Sequence, residues 1–337
     1  MGASQSIWPM PAYLPVMGNP GPMRCFVAIA ICVLSACSAA VPRTEPPETL
    51  QSAFVLANGR LLGGERISLE IRAGKITAIG DVDASLPVGD TSRHWVVPAA
   101  IDSHVHLTFL PVTERLIDGG VVGAVDLAAP LDTLGRGSAI ALVSSGPMIT
   151  SMTGYPTQSW GVDGYGYECA DSKCVENAVA ELVSAGARVI KVPVGTRGLF
   201  GKLLETAVQA AHMRGVVVAA HALSERDASE AARAGVDILA HTPVEPLSDQ
   251  TVRAWSGRHV ISTLAAFGES NDAVDNLRRL RAAGATVLYG TDLGNTQVIG
   301  ISRDEIVLLE KAGFAERGHH HWARARGWLT NCPSSPS

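Results

Sequence analysis

From Val96 onward the chain alternates short apolar runs with segments whose apolar residues fall three and four apart, a pattern that predicts strand followed by helix. The apolar runs begin near Ala99, Val121, Ile140, Arg188, Val216, Ile238, Val260 and Thr286. Helical periodicity covers 174–185, 200–213, 224–234, 271–283 and 302–312, with Gly186, Gly215, Gly235, Gly284 and Gly313 just beyond as stop signals. Eight strands with intervening helices is the count of an α/β fold of the (β/α)8 TIM-barrel type over 96–314. An open doubly wound sheet is the alternative, although no phosphate-binding glycine fingerprint follows the first run. Upstream, 53–57, 66–72 and 75–79 are short β-type runs separated by Asn58-Gly59, Gly63-Gly64 and Gly74-Lys75. They make 51–95 a small antiparallel sheet domain ahead of the barrel.

The N-terminal region carries a different pattern. Residues 1–22 are rich in Pro, Gly and Met, without charge or period, and the chain changes character at Met23. Arg24 precedes the apolar run Cys25–Val33, which is too short to cross a bilayer as a helix and fits the apolar part of a signal peptide. LSAC, ending at Cys37, resembles a bacterial lipobox, which implies cleavage before Cys37, lipid on its thiol and a place in the cell envelope. An ordinary secretory signal is the alternative. Residues 1–37 thus read as extension and signal peptide, and 38–50 as a Pro-interrupted linker.

Charge narrows the partners. With 27 Lys+Arg against 32 Asp+Glu and no basic patch, nucleic acid is not an expected ligand. Of the six cysteines, Cys25 and Cys32 leave with the signal, Cys37 takes lipid, and Cys332 stays unpaired. Cys169 and Cys174, five positions apart, suit a loop disulfide in an oxidising compartment.

The chemistry gathers at the ends of the apolar runs. In VVPAAIDSHVH, strand alternation puts Asp102, His104 and His106 on one face, and two imidazoles on one side can share a metal ion. Lys191 ends the fourth run, His221 the fifth and His241 the sixth, and Asp292 follows the eighth. In a (β/α)8 barrel those ends converge on one mouth.

The segments VVPAAIDSHVHL, VIKVPVG, VVVAAHALSERDASEAARAGVDILAH and VLYGTDLG resemble the metal-dependent amidohydrolase superfamily, in its imidazolonepropionase-like branch, which includes Xaa-Pro dipeptidases. The likeness runs from about Ala53 to Phe314. Ala99 departs from the family's usual glycine. After Phe314 the family's further helix and closing strands are replaced by 315–337, which read as an atypical tail in which His319, His320 and His321 are accidental. The resemblance implies that His104, His106 and Asp292 hold one divalent metal, zinc by donor type, and that His221 and His241 hold a second. It further implies a carbamylated Lys191 between them, attack on an amide or peptide-like bond by a metal-bridging hydroxide, and Asp292 as the proton carrier. Asp102 is expected to orient a ligand histidine from behind. The loops 150–161, 196–197 and 267–269 are expected to set substrate choice, with Tyr155 and Arg197 holding a substrate carboxylate. An inactive, interrupted hydrolase, or a lipid-anchored protein that binds a small ligand without turnover, is the competing reading.

Overall fold

The protein is described here by a computed structural model that covers residues 53–314. Readings placed on 1–52 and 315–337, including the signal segment, Cys37, the 38–50 linker, Cys332 and the 315–337 tail, lie outside the described residues.

Strands β1 (Phe54–Arg60), β2 (Arg66–Arg72) and β3 (Lys75–Ile79) form the antiparallel meander expected from their turns. The expectation of three strands was short by one. β4 (Val88–Asp90) lies parallel to β1, giving the order β3-β2-β1-β4. Its three exposed residues, VGD, carry no alternation, so pairing with β1 and not local pattern makes them a strand. The pairing is secured at both ends, where Val55 N donates to Pro87 O at 2.8 Å and Thr91 N to Ala57 O at 2.8 Å.

The main unit consists of parallel strands. β5 (Ala100–Val105), β6 (Val121–Asp126) and β7 (Ala141–Ser144) form one sheet. β8 (Met148–Ser151) and β9 (Gly166–Cys169) form a parallel pair. β10 (Val189–Pro193), β11 (Val217–His221), β12 (Ile238–Leu239), β13 (His259–Ile261) and β14 (Thr286–Leu288) follow in spatial order in a third sheet. Each of the eight expected runs has its strand; β8 and β9 were not anticipated. Main-chain bonds also join the sheets. Arg188 N donates to Ser144 O at 3.2 Å, while Ser103 N reaches Tyr289 O and Asp292 N reaches His104 O, both at 2.9 Å.

Helices α1 (Thr113–Asp118), α2 (Ser172–Ser184), α3 (Lys202–His212), α4 (Glu225–Ala234), α5 (Asp249–Ala254), α6 (Asn271–Ala282) and α7 (Arg303–Leu309) occupy the connections. Asp171, Ser224, Ser248, Ser270 and Ser302 each cap a helix by accepting a main-chain N–H three residues on. In α2 the buried residues are Val175, Ala178, Val179 and Leu182, the spacing of one helical face, and each large side chain buried there contributes about 1.5–3 kcal/mol. The six-residue helices α1 and α5 were not read from the sequence because they are too short to display a period. A disulfide between Cys169 and Cys174, Cα atoms 5.3 Å apart, ties the end of β9 to the first turn of α2.

Candidate metal centre

His104 lies in β5 and His106 just past its end, and both are buried. The His104 ring is oriented by a main-chain carbonyl, with Nδ1 2.7 Å from Ala240 O. Because a carbonyl only accepts, Nδ1 carries the proton and Nε2 is left with a bare lone pair. That Nε2 stands 3.5 Å from Asp292 Oδ1 and 3.5 Å from Lys191 Nζ. His106 Nε2 is 3.1 Å from the same Asp292 oxygen, and His106 Nδ1 is buried without a hydrogen-bond partner. One ligand atom each from His104, His106 and Asp292 lies within 4.8 Å of the others. Among the described residues, these three make the one compact metal-type group.

His241 stands beside His104, ring centroids 4.4 Å apart, and His221 beside His241 at 4.8 Å. The second histidine pair is therefore at the site but outside that compact group. His241 Nδ1 is 3.0 Å from Thr263 Oγ1, which fixes its ring.

Electrostatics keep the donors available. Burial, assisted by Lys191, holds His104 well below the ordinary histidine range, and burial takes His221 down to about 3, so these imidazoles are neutral. Burial also lowers Lys191 to about 7 against the pull of Asp292. For Asp292 burial pushes upward, but the contact with His106 Nε2 and the positive charge of Lys191 pull the carboxyl below its ordinary range. Two imidazole nitrogens and a carboxylate oxygen, all from buried residues, converge here within 4.8 Å of one another. The residues present therefore fit a divalent metal of the nitrogen-and-oxygen type.

The backbone around Asp292 is shaped for this approach. A Cβ at Gly290 would lie 3.2 Å from His104 Cβ, and one at Gly294 would lie 2.7 Å from His106 Cβ, so only glycine lets this loop close on the histidines. Asp292 itself has φ 56, and Asn295 Nδ2 donates to its two oxygens at 3.1 and 3.3 Å. Asp102 acts differently from the expectation. Its carboxylate accepts main-chain N–H from His104 at 3.1 Å and from Thr291 at 3.0 Å, and the Thr291 hydroxyl at 2.5 Å. It fixes the backbone on both sides of the centre, and the ring of His104 is held by Ala240.

Several residues at the site were not singled out from sequence. Asp126 ends β6, is buried, accepts N–H from Leu107 at 3.2 Å and Ala128 at 3.4 Å, and is raised by burial to about 6. It had the same signal as the others, an acid closing an apolar run. Thr263 and Glu305 had none. Glu305, at 0% exposure, accepts N–H from Leu264 at 3.0 Å and Ala265 at 2.8 Å, and so supports the segment carrying Thr263 and Phe267.

The expected substrate loops do reach the centre. Trp160 lies 5.1 Å from His106 and Phe267 4.9 Å from His241, centroid to centroid. Tyr155 stacks on His221 at 4.9 Å. Arg197 is exposed and meets Tyr155 through its main chain, Tyr155 N donating to Arg197 O at 2.7 Å.

No protein-family model matches this sequence, and no curated protein matches it either. Solved structures do share the fold. A Xaa-Pro dipeptidase with bound methionine superposes with a TM-score of 0.69 at 20% identity, over 83% of this chain and 89% of that one. A prolidase complexed with N-methylphosphonate-L-proline gives 0.60 at 19% identity, over 82% and 84%. The ochratoxinase of A. niger gives 0.59 at 17% identity, over 73% and 77%.

Proposed function

We propose that this chain is a metal-dependent amidohydrolase that cleaves a carbon–nitrogen bond of a small amide or peptide-like substrate. One observation carries the reading: His104, His106, Asp292 and Lys191, from β5 and the residue after it, β10 and the turn after β14, converge within 3.5 Å contacts on a buried site. The hydrolase structures that share the fold support it. We read the parallel strands as a closed (β/α)8 barrel, because Ile101, Val125, Val143, Val189, Ala219, Ile238, Ile261 and Leu288, one from each of eight strands, meet in a single buried cluster.

In this reading His104, His106 and Asp292 would hold one divalent ion, zinc by donor type, and His221 and His241 a second. When bound, the metal supplies a lowered water pKa and polarisation of the substrate carbonyl. Lys191 as an ammonium offers donors only. Its amine adds to CO2 with loss of one proton, giving a carbamate whose two oxygens suit a site between cations. Asp292 takes the proton of the attacking water and delivers it to the leaving nitrogen. Envelope anchoring through Cys37 belongs to the same proposal.

The test is elemental analysis of the purified protein and of the His104→Ala/His106→Ala variant, with hydrolysis of N-acyl amino acids and dipeptides. Loss of metal and of hydrolysis together is expected. Metal retained at wild-type stoichiometry in the double variant refutes the ligand assignment.

A further inference from the structure

Tyr155 is held from three directions. Its ring stacks on His221, planes 29° apart. Its main-chain N–H is taken by Arg197 O at 2.7 Å. Its phenolic oxygen accepts the Trp160 indole N–H at 2.9 Å. An indole nitrogen donates and cannot accept, so the direction of that bond is fixed and the Tyr155 proton must point elsewhere. Among the described residues no group accepts it. Trp160 in turn packs on His106, so the two linked rings touch one histidine from each pair of the centre. The result is an unspent O–H beside the histidines of the centre.

We propose that Tyr155 is a catalytic residue whose hydroxyl donates to the substrate's carbonyl oxygen, with Trp160 as the positioning residue that aims it. This rests on the hydrolase reading and replaces the carboxylate-holding role expected from sequence. As the carbonyl carbon is attacked, its oxygen gains negative charge, and a donor already in place needs no reorganisation. The stacked, singly accepting phenol is pre-aimed in this way.

The experiment uses the zinc-loaded full chain with Tyr155→Phe, which keeps the ring and its stacking and removes only the hydroxyl. Metal content is expected to be unchanged. The kcat is expected to fall about 10²–10³-fold with little change in KM, the loss typical of one oxyanion donor. Substrates without a carboxylate should show the same fall. Calorimetry with an N-methylphosphonyl amino acid, a mimic of the tetrahedral state, should show binding weakened about 100-fold, while a ground-state amide binds as before. Trp160→Phe should lower kcat less, and should add nothing in the Tyr155→Phe background.

A raised KM with kcat retained, confined to substrates bearing a carboxylate, overturns the assignment and returns Tyr155 to carboxylate binding. Unchanged kinetics and phosphonate affinity overturn it as well. If the wild-type protein neither hydrolyses amides nor binds the phosphonate, the hydrolase reading has failed and the role of Tyr155 falls with it.

Discussion

Asp102→Asn is expected to stabilise the metal-free protein at pH 7, although it alters a buried, three-bonded residue. Burial, against the bonds from Thr291 and His104, raises the Asp102 carboxyl from its ordinary 3.8 to about 7. The folded state therefore prefers the proton, and the stability that the neutral carboxyl contributes is complete below about pH 4 and lost as pH rises toward 7. The gap between 3.8 and about 7 corresponds to an upper figure of about 4 kcal/mol. Asparagine copies the neutral acid: its oxygen still accepts the N–H groups of His104 and Thr291, and its NH2 donates to the Thr291 hydroxyl. Urea unfolding after removal of metal with a chelator, followed by circular dichroism between pH 4 and 7, reads the difference. The two proteins should coincide near pH 4, and the variant's midpoint should exceed the wild type's by pH 7. A gap independent of pH, or a wild type that gains on the variant as pH rises, would refute the reasoning. Asp102→Ala is the contrast, since it strands two buried N–H groups at about 1–3 kcal/mol each.

Glu305→Ala should destabilise by about 3 kcal/mol, the cost of two buried N–H groups less the relief of a buried carboxylate, and lower Tm by about 6–12 °C in calorimetry. A Tm within 2 °C of wild type would mean that water or another acceptor replaces the carboxylate, at odds with ~1–3 kcal/mol per stranded group. Lys191→Ala should abolish hydrolysis, with partial recovery on adding short-chain carboxylic acids that restore oxygens to the site. Full activity without supplement would exclude the bridging role.

The parallel strands and their helices were legible because both signals are local. Val121–Asp126 and Val217–His221 are apolar runs bounded by polar turns, and Gly186, Gly215, Gly235, Gly284 and Gly313 all adopt positive φ at helix ends. The histidines, Lys191 and Asp292 were legible because they close such runs. Other features depend on what the chain meets after folding. β4 exists because β1 offers it partners, and β9 because β8 does. The roles of Glu305 and Thr263 follow from loop geometry, and polar residues in those settings look like any others in a list of letters. The tautomer of His104 depends on Ala240, 136 positions away, and no spacing rule reaches that far.

The bond between Asp102 and Thr291 spans 189 positions. Closing a loop of that size costs about 5 kcal/mol of chain entropy, and contacts this remote delay folding. During synthesis, His104 and His106 leave the ribosome as a pair of ordinary imidazoles, with Lys191, His221 and His241 following one by one. Asp292 arrives only when the last strand has been made. The three-residue cluster cannot form on a partly made chain, so uptake of a cation there would report that the segments around Asp102 and Thr291 have met.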